Sequence, residues 1–213
     1  VGLGLVAKTV DPRPYRVWIL AGDSELAEGS VWEAFEHAAH WMLDNVTVII
    51  DVNRLGQSGE TMHGWHVTSY AERARAFGWE AFVIDGHDLT EIDEAYQEAI
   101  KVRDRPTVIV ARTHKGRGVV AVEDQPGWHG KVLADPKAAI AELGGSRAIT
   151  ISPAPPPEAP VAQRYARSEL ALPSYEVGSL MATRRAYGEA LAALGSSRSD
   201  VVAMDGEVSN STF

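Results

Sequence analysis

The chain contains no cysteine, which excludes disulfides, thiolate metal sites and a cysteine nucleophile, and fits a reducing compartment. Basic residues are in short supply: 20 Lys and Arg against 29 Asp and Glu give a formal net charge of −9. Broad contact with nucleic acid or an anionic membrane needs a basic face, so neither is expected as a partner. A small phosphorylated ligand needs only a few local cations and amides and stays open. Apolar stretches such as Val46-Thr-Val-Ile-Ile50 are far too short to cross a bilayer. The chain starts at Val1 without a basic-then-apolar leader and stops at Asn210-Ser-Thr-Phe213, just past a strand-like run. The expectation is a piece of a longer protein, with a cytoplasmic location.

What remains is the mix of an ordinary globular protein. Hydrophobic residues make up 45% and charged residues 23% of 213 positions, enough for one medium domain or for one domain and part of another. Arg16-Val-Trp-Ile-Leu-Ala21 reads as a buried strand ending at Gly22-Asp23. Ser30-Val-Trp-Glu33 has the form of a capping box, and Val31, Trp32, Phe35, Ala38, Ala39, Met42 and Leu43 follow at helical spacing, with Asn45 expected to close the helix. A second strand, 46–52, completes a βαβ unit, which builds parallel sheet. Further on, a helix over 70–77 stops at Gly78 and a strand spans 80–85. Thr90-Glu-Ile-Asp93 caps a helix running to about Arg103, and a strand spans 106–112. Asp135-Pro136 then starts a short helix that Gly144-Gly145 ends. The alternation predicts an α/β fold with a doubly wound parallel sheet.

Five of the eleven prolines then fall between Pro153 and Pro160, the composition of a semi-rigid linker. Beyond it, 183–194 reads as a helix and 200–204 as a strand, the start of a further α/β unit. The expected division is 1–148 for the first domain, 149–180 for the linker and 181–213 for the truncated start of a second domain.

Ligands of open α/β sheets bind beyond the carboxyl ends of the strands. Asp23 follows the first strand and Asn53 the second, and consecutive strands are usually neighbours, so the two side chains can converge. A carboxylate, an amide oxygen and a nearby main-chain carbonyl suit a hard cation such as magnesium. Locally, Gly-Asp and Asn are also common turn residues. His63 and His66 lack a third metal ligand. Trp18, Trp32 and Trp41 read mainly as core.

Several blocks carry a wider pattern. Gly22-Asp-Ser-Glu-Leu-Ala-Glu-Gly-Ser-Val-Trp-Glu-Ala34, Asp51-Val-Asn-Arg-Leu-Gly-Gln-Ser58, Ala76-Phe-Gly-Trp79, Asp85-Gly-His87, Lys115-Gly-Arg-Gly118 and Trp128-His-Gly-Lys131 occur in that order. Ala182-Thr-Arg-Arg-Ala-Tyr-Gly188 and Asp205-Gly-Glu-Val-Ser-Asn-Ser-Thr-Phe213 follow. Together they resemble the transketolase family. The resemblance implies the thiamine-diphosphate-binding fold, followed by the start of the pyrimidine-binding domain. It implies transfer of a two-carbon ketol unit from a ketose phosphate to an aldose phosphate in the pentose phosphate pathway and Calvin cycle. It also implies thiamine diphosphate with magnesium or calcium as cofactors, and a homodimer of full-length subunits.

Carried over position by position, it gives Asp23, Asn53 and the Leu55 carbonyl as metal ligands. Ser24, where the family usually has glycine, would meet the diphosphate through its backbone, and Asn53, Lys115 and His129 would line the cofactor. His129 is the candidate catalytic group, and Lys115, His129, Arg184 and Ser211 are candidate substrate contacts. Glu28 matches a carboxylate that couples the two subunits. The family's activating glutamate lies beyond Phe213 and its substrate histidines before Val1, so these residues alone are expected to be inactive. Three alternatives stay open. One is another thiamine-diphosphate enzyme, such as deoxyxylulose-phosphate synthase or a 2-oxo-acid dehydrogenase component. The others are one subunit of a split transketolase and a non-enzymatic protein that kept the fold.

Overall fold

The computed structural model describes residues 1–10, 13–153 and 166–205 and forms two compact units, Val1–Pro155 and Pro156–Phe213. In the first, strands β1 (Val17–Gly22), β2 (Val46–Val52), β3 (Glu80–Asp85) and β4 (Thr107–Arg112) make one parallel sheet in the order β1-β2-β4-β3. Its helices are α1 (Gly2–Leu5), α2 (Gly29–His40), α3 (Val67–Ala76), α4 (Leu89–Ala99) and α5 (Pro136–Glu142). The path from β1 to β2 to β3 steps across the sheet in one direction, and β3 to β4 steps back. Right-handed crossovers therefore put α2 and α3 on one face and α4 on the other.

The side chains follow that division. Val46, Val48, Ile50 and Val52 alternate onto the first face and pack with Phe35 and Ala38 of α2 and Tyr70, Ala71 and Ala74 of α3. Ile49, Phe82, Ile84 and Ile109 pack on the opposite face with Ala95 and Ala99 of α4. The central strands β2 and β4 are covered on both sides, which is why their sequences are almost continuously apolar. A third cluster (Val119, Val122, Trp128, Leu133 and Ala139) anchors the long segment after β4 on α5.

The elements predicted for the first unit are present with shifted ends. Ser30-Val-Trp-Glu33 caps nothing, because α2 already starts at Gly29 behind Glu28. The helix stops at Trp41, and Met42 turns the chain with φ 50°. Asn45, expected to close the helix, lies beyond it and donates from Nδ2 to the Gly4 carbonyl at 3.0 Å. The cap of α4 is Asp88, whose carboxylate accepts from the amides of Thr90 and Glu91, and the helix ends at Ala99, short of Arg103. Asp135 caps α5 with proline in its first turn, as the sequence predicts.

Two further expectations fail. Trp18 and Trp41 are 39% and 47% exposed, and the deeply buried tryptophan is Trp79 at 4%. The first sits on an edge strand against Tyr96 (centroids 4.9 Å apart) and the second at a helix end, so neither is covered from all sides. In the second unit α6 spans Thr183–Ser197, but residues 200–204 are not a strand. Among the described residues of this unit the pairing is limited to an isolated bridge between Arg167 and Arg198, and a strand without a neighbour leaves its amides unsatisfied.

Ile50 is fully buried between the sheet and the α2/α3 layer, whereas Leu20, on the edge strand, is 73% exposed. Ile50→Ala is expected to cost roughly 2–5 kcal/mol and Leu20→Ala under about 0.5 kcal/mol, measured by chemical denaturation. Equal costs would contradict this assignment of the core.

Candidate functional site

Parallel pairing aligns the carboxyl ends of three strands. Gly22 pairs with Asp51 and Val52 with Arg112, so the segments beginning at Asp23, Asn53 and Thr113 leave the sheet at one edge. A cleft of about 800 Å³ opens there, lined by Asp23, Ser24, Asn53, Leu55, Lys115 and His129, among others. Six of the residues singled out in the sequence therefore converge.

Asp23 is 4% exposed. Its Oδ2 accepts from the Arg54 amide at 2.7 Å and from the Thr61 hydroxyl at 3.1 Å, and no cationic side chain pairs with it among the described residues. Burial raises its pKa above the ordinary aspartate value, the amide and hydroxyl donors oppose that shift, and Asp51 adds repulsion. Asn53, 8% exposed, donates from Nδ2 to Asp51 at 3.0 Å and accepts on Oδ1 from the Leu55 amide at 3.1 Å. The site thus holds two neighbouring carboxylates with no counter-cation beside Asp23.

Lys115 reaches across from the segment after β4. Its Nζ donates to the Leu55 carbonyl at 2.9 Å and lies 3.1 Å from His129 Nδ1. An ammonium can only donate, so Nδ1 of His129 is the acceptor and the ring proton sits on Nε2. Gly116 follows with φ 72°, and a Cβ there would come within 3.0 Å of the Val122 carbonyl. Only glycine takes this turn without strain. Trp128, packed in the third apolar cluster, fixes the chain beside the exposed His129.

The other candidates lie elsewhere. Glu28 is the exposed N-cap of α2 and makes no side-chain cap. Arg184 is exposed near the start of α6, in the second unit. Ser211 lies outside the described residues. His63 contacts Arg73 and Tyr70.

Sequence reasoning missed several participants. Asp51 accepts from the Thr113 hydroxyl as well as from Asn53; an acid inside an apolar strand, two positions before Asn53, was the available signal. His87, to which the sequence assigned no chemistry, accepts the His114 amide on Nε2 at 2.8 Å and so fixes the start of the Lys115 segment. Gly86 beside it is a close-packing point, since a Cβ there would lie 2.5 Å from Thr113 Cγ2.

A buried carboxylate, an amide oxygen and a main-chain carbonyl, flanked by a lysine and a histidine, meet at the carboxyl edge of a parallel sheet, the edge at which α/β proteins of this class bind their ligands. Residues 8–150 match the family described as "Transketolase, thiamine diphosphate binding domain", and the chain belongs to the transketolase family. It is 43% identical over 217 residues to transketolase-like protein 2 of Mus musculus and 41% identical over 218 residues to transketolase of Homo sapiens. Both alignments take in 100% of this chain but only 35% and 34% of the relatives, so the chain spans about a third of the length of these curated relatives. The crystal structure of transketolase from Campylobacter jejuni superposes with a TM-score of 0.59 at 25% identity, covering 69% of this chain and 24% of that one. The α/β fold with its parallel sheet agrees with this assignment, and thiamine diphosphate is the cofactor to which the family's domain is fitted. Among the described residues no helix is long and apolar enough to cross a membrane.

The raised pKa of Asp23 fixes a sign. The folded chain keeps this proton to a higher pH than the unfolded chain, so cation-free stability falls as pH rises through that interval. Asp23→Asn keeps an acceptor for the Arg54 amide and loses the charge. Without divalent cations it is expected to unfold at a higher temperature than the parent at pH 7, with the gain shrinking as pH falls toward the ordinary aspartate range. A stability difference independent of pH would contradict the burial argument.

Proposed function

We propose that the chain is the cation- and diphosphate-binding part of a transketolase that moves a two-carbon ketol unit from a ketose phosphate to an aldose phosphate. The convergence of Asp23, Asn53 and the Leu55 carbonyl with Lys115 and His129 carries this reading. The donor set suits magnesium, or calcium in its place: one carboxylate, one amide oxygen and one carbonyl leave the remaining positions to phosphate oxygens and water. Among the described residues no three His, Cys, Asp or Glu side chains cluster to hold a metal, so the cation would rest on this mixed oxygen set. Two observations support the fit. Asp23 is a buried carboxylate without a cationic partner among the described residues, and the Leu55 carbonyl already accepts from an ammonium.

Thiamine diphosphate, when bound, supplies an electron sink for the two-carbon carbanion. The chain's own residues bind and orient. The Ser24 amide would meet the diphosphate, and the Cβ of the exposed Ser24 lies beside Gly56, 3.5 Å from where a Cβ added there would sit. With the Leu55 carbonyl engaged by a cation, the Lys115 ammonium that it now accepts from would be free to donate to an anionic oxygen. His129, protonated on Nε2, offers a donor to the substrate and can exchange a proton there. Arg184 and Ser211 hold the sugar phosphate, arginine through its planar donor pair. Glu28 faces a second full-length subunit in a homodimer. The pentose phosphate pathway, with the Calvin cycle where it operates, and a cytoplasmic location complete the proposal.

Titration of the intact protein with thiamine diphosphate tests it. Binding is expected to require magnesium and to weaken by at least about tenfold in Asp23→Ala and Lys115→Met. Without cofactor, Lys115→Met should bind Mn²⁺ no more weakly than the parent, because the Leu55 carbonyl has been released. Cofactor binding that ignores magnesium and Asp23 would sink the proposal, as would intact protein that transfers nothing from xylulose 5-phosphate to ribose 5-phosphate.

A further inference from the structure

The segment after β2, which carries Asn53 and Leu55, and the segment after β4, which carries Lys115, are joined by a side-chain pair the proposed function leaves unused. Arg54 donates to Asp124 Oδ2 at 2.8 Å, and both side chains are partly buried. The guanidinium also lies 4.6 Å from the Trp65 ring centroid, a cation–π contact. Arg112 approaches the same ring at 4.9 Å, and Trp65 Nε1 donates to the Thr113 carbonyl at 3.0 Å.

The main chains of the pair are what link it to the site. The Arg54 amide donates to Asp23 Oδ2 at 2.7 Å, and the Asp124 amide donates to the Lys115 carbonyl at 2.7 Å. One partner therefore orients the candidate metal carboxylate and the other the loop of the candidate diphosphate lysine. Arg54 and Asp124 are both non-glycine residues in the left-handed region, with φ 60° and 55°, a conformation that costs free energy unless the surroundings enforce it. A contact optimised for stability alone would not place two non-glycine residues in that conformation.

We propose that Arg54 and Asp124 are positioning residues, a clamp that couples the cation-binding half of the site to its diphosphate-binding half. Asp124 touches none of the three candidate ligands, yet through Arg54 it acts on Asp23. This coupling rests on the cofactor site proposed above.

The test uses the intact protein with Asp124→Asn, Arg54→Met, both together, and Arg54→Lys. Asparagine tolerates the left-handed backbone, so Asp124→Asn removes the charge while sparing the turn. Amide hydrogen exchange without cofactor is expected to rise about tenfold in both residues 53–56 and 113–118 in either single variant, and no further in the double variant. Asp124→Asn should also weaken magnesium-dependent thiamine diphosphate binding about tenfold, and Arg54→Lys should lose less than Arg54→Met. Exchange confined to the segment bearing the substitution, or single effects that simply add, overturns the clamp while leaving the cofactor site standing. A parent protein that binds no cofactor overturns both.

Discussion

Gly22 lies beside Asp51 and Val52 beside Arg112, and the chemistry of the first unit depends on that register. Hydrogen-bonded strands cannot slip by one residue without turning their buried faces outward. Val46, Val48, Ile50 and Val52 are locked against α2 and α3, so the carboxyl ends of β1, β2 and β4 are fixed at one level. Segments far apart in sequence, such as those bearing Asp23 and Lys115, can then share a cleft. The core in this sense sets ångström-scale distances between groups it does not touch.

Unbalanced negative charge governs that edge. Asp23 is buried beside Asp51, with the Arg54 amide and the Thr61 hydroxyl as its donors. Burying a carboxylate without a paired cation is costly, and the left-handed turns at the non-glycine residues Arg54 and Asp124 add to the cost. Lys115 brings positive charge to the Leu55 carbonyl, not to Asp23. A carboxylate held in this way suits the cation that the proposed function assigns to it, in a domain whose family model is described as thiamine diphosphate binding.

Much of this was legible in the sequence. The apolar runs of β2 and β4 announced strands buried on both faces, and Gly22-Asp23 and Asn53 marked the loops that form the cleft. The cap of α5 was readable because Asp-Pro states both the cap and the first turn. The cap of α2 was not: the Ser30 pattern is a local preference, and the short helical turn from Asp23 to Ala27 delivers the chain to Gly29 first. Trp18 was misjudged because periodicity reports a face and not whether the strand lies at an edge. The Arg54–Asp124 pair was invisible, since a contact across seventy positions depends on two left-handed turns that neither residue type advertises. Asp51 left a faint trace, a charge in an apolar strand whose role appears only when Asn53 and Thr113 are placed around it.

The account stands on the three oxygens of Asp23, Asn53 and Leu55 forming a single cation site shared with the cofactor's diphosphate. Electron–nuclear double resonance of Mn²⁺ bound to the intact protein with thiamine diphosphate reads that arrangement directly. The expected spectrum shows ³¹P coupling from metal-bound phosphate, which disappears when Asp23 is replaced by asparagine. Mn²⁺ bound without phosphorus coupling, or a coupling that survives the loss of Asp23, would contradict it.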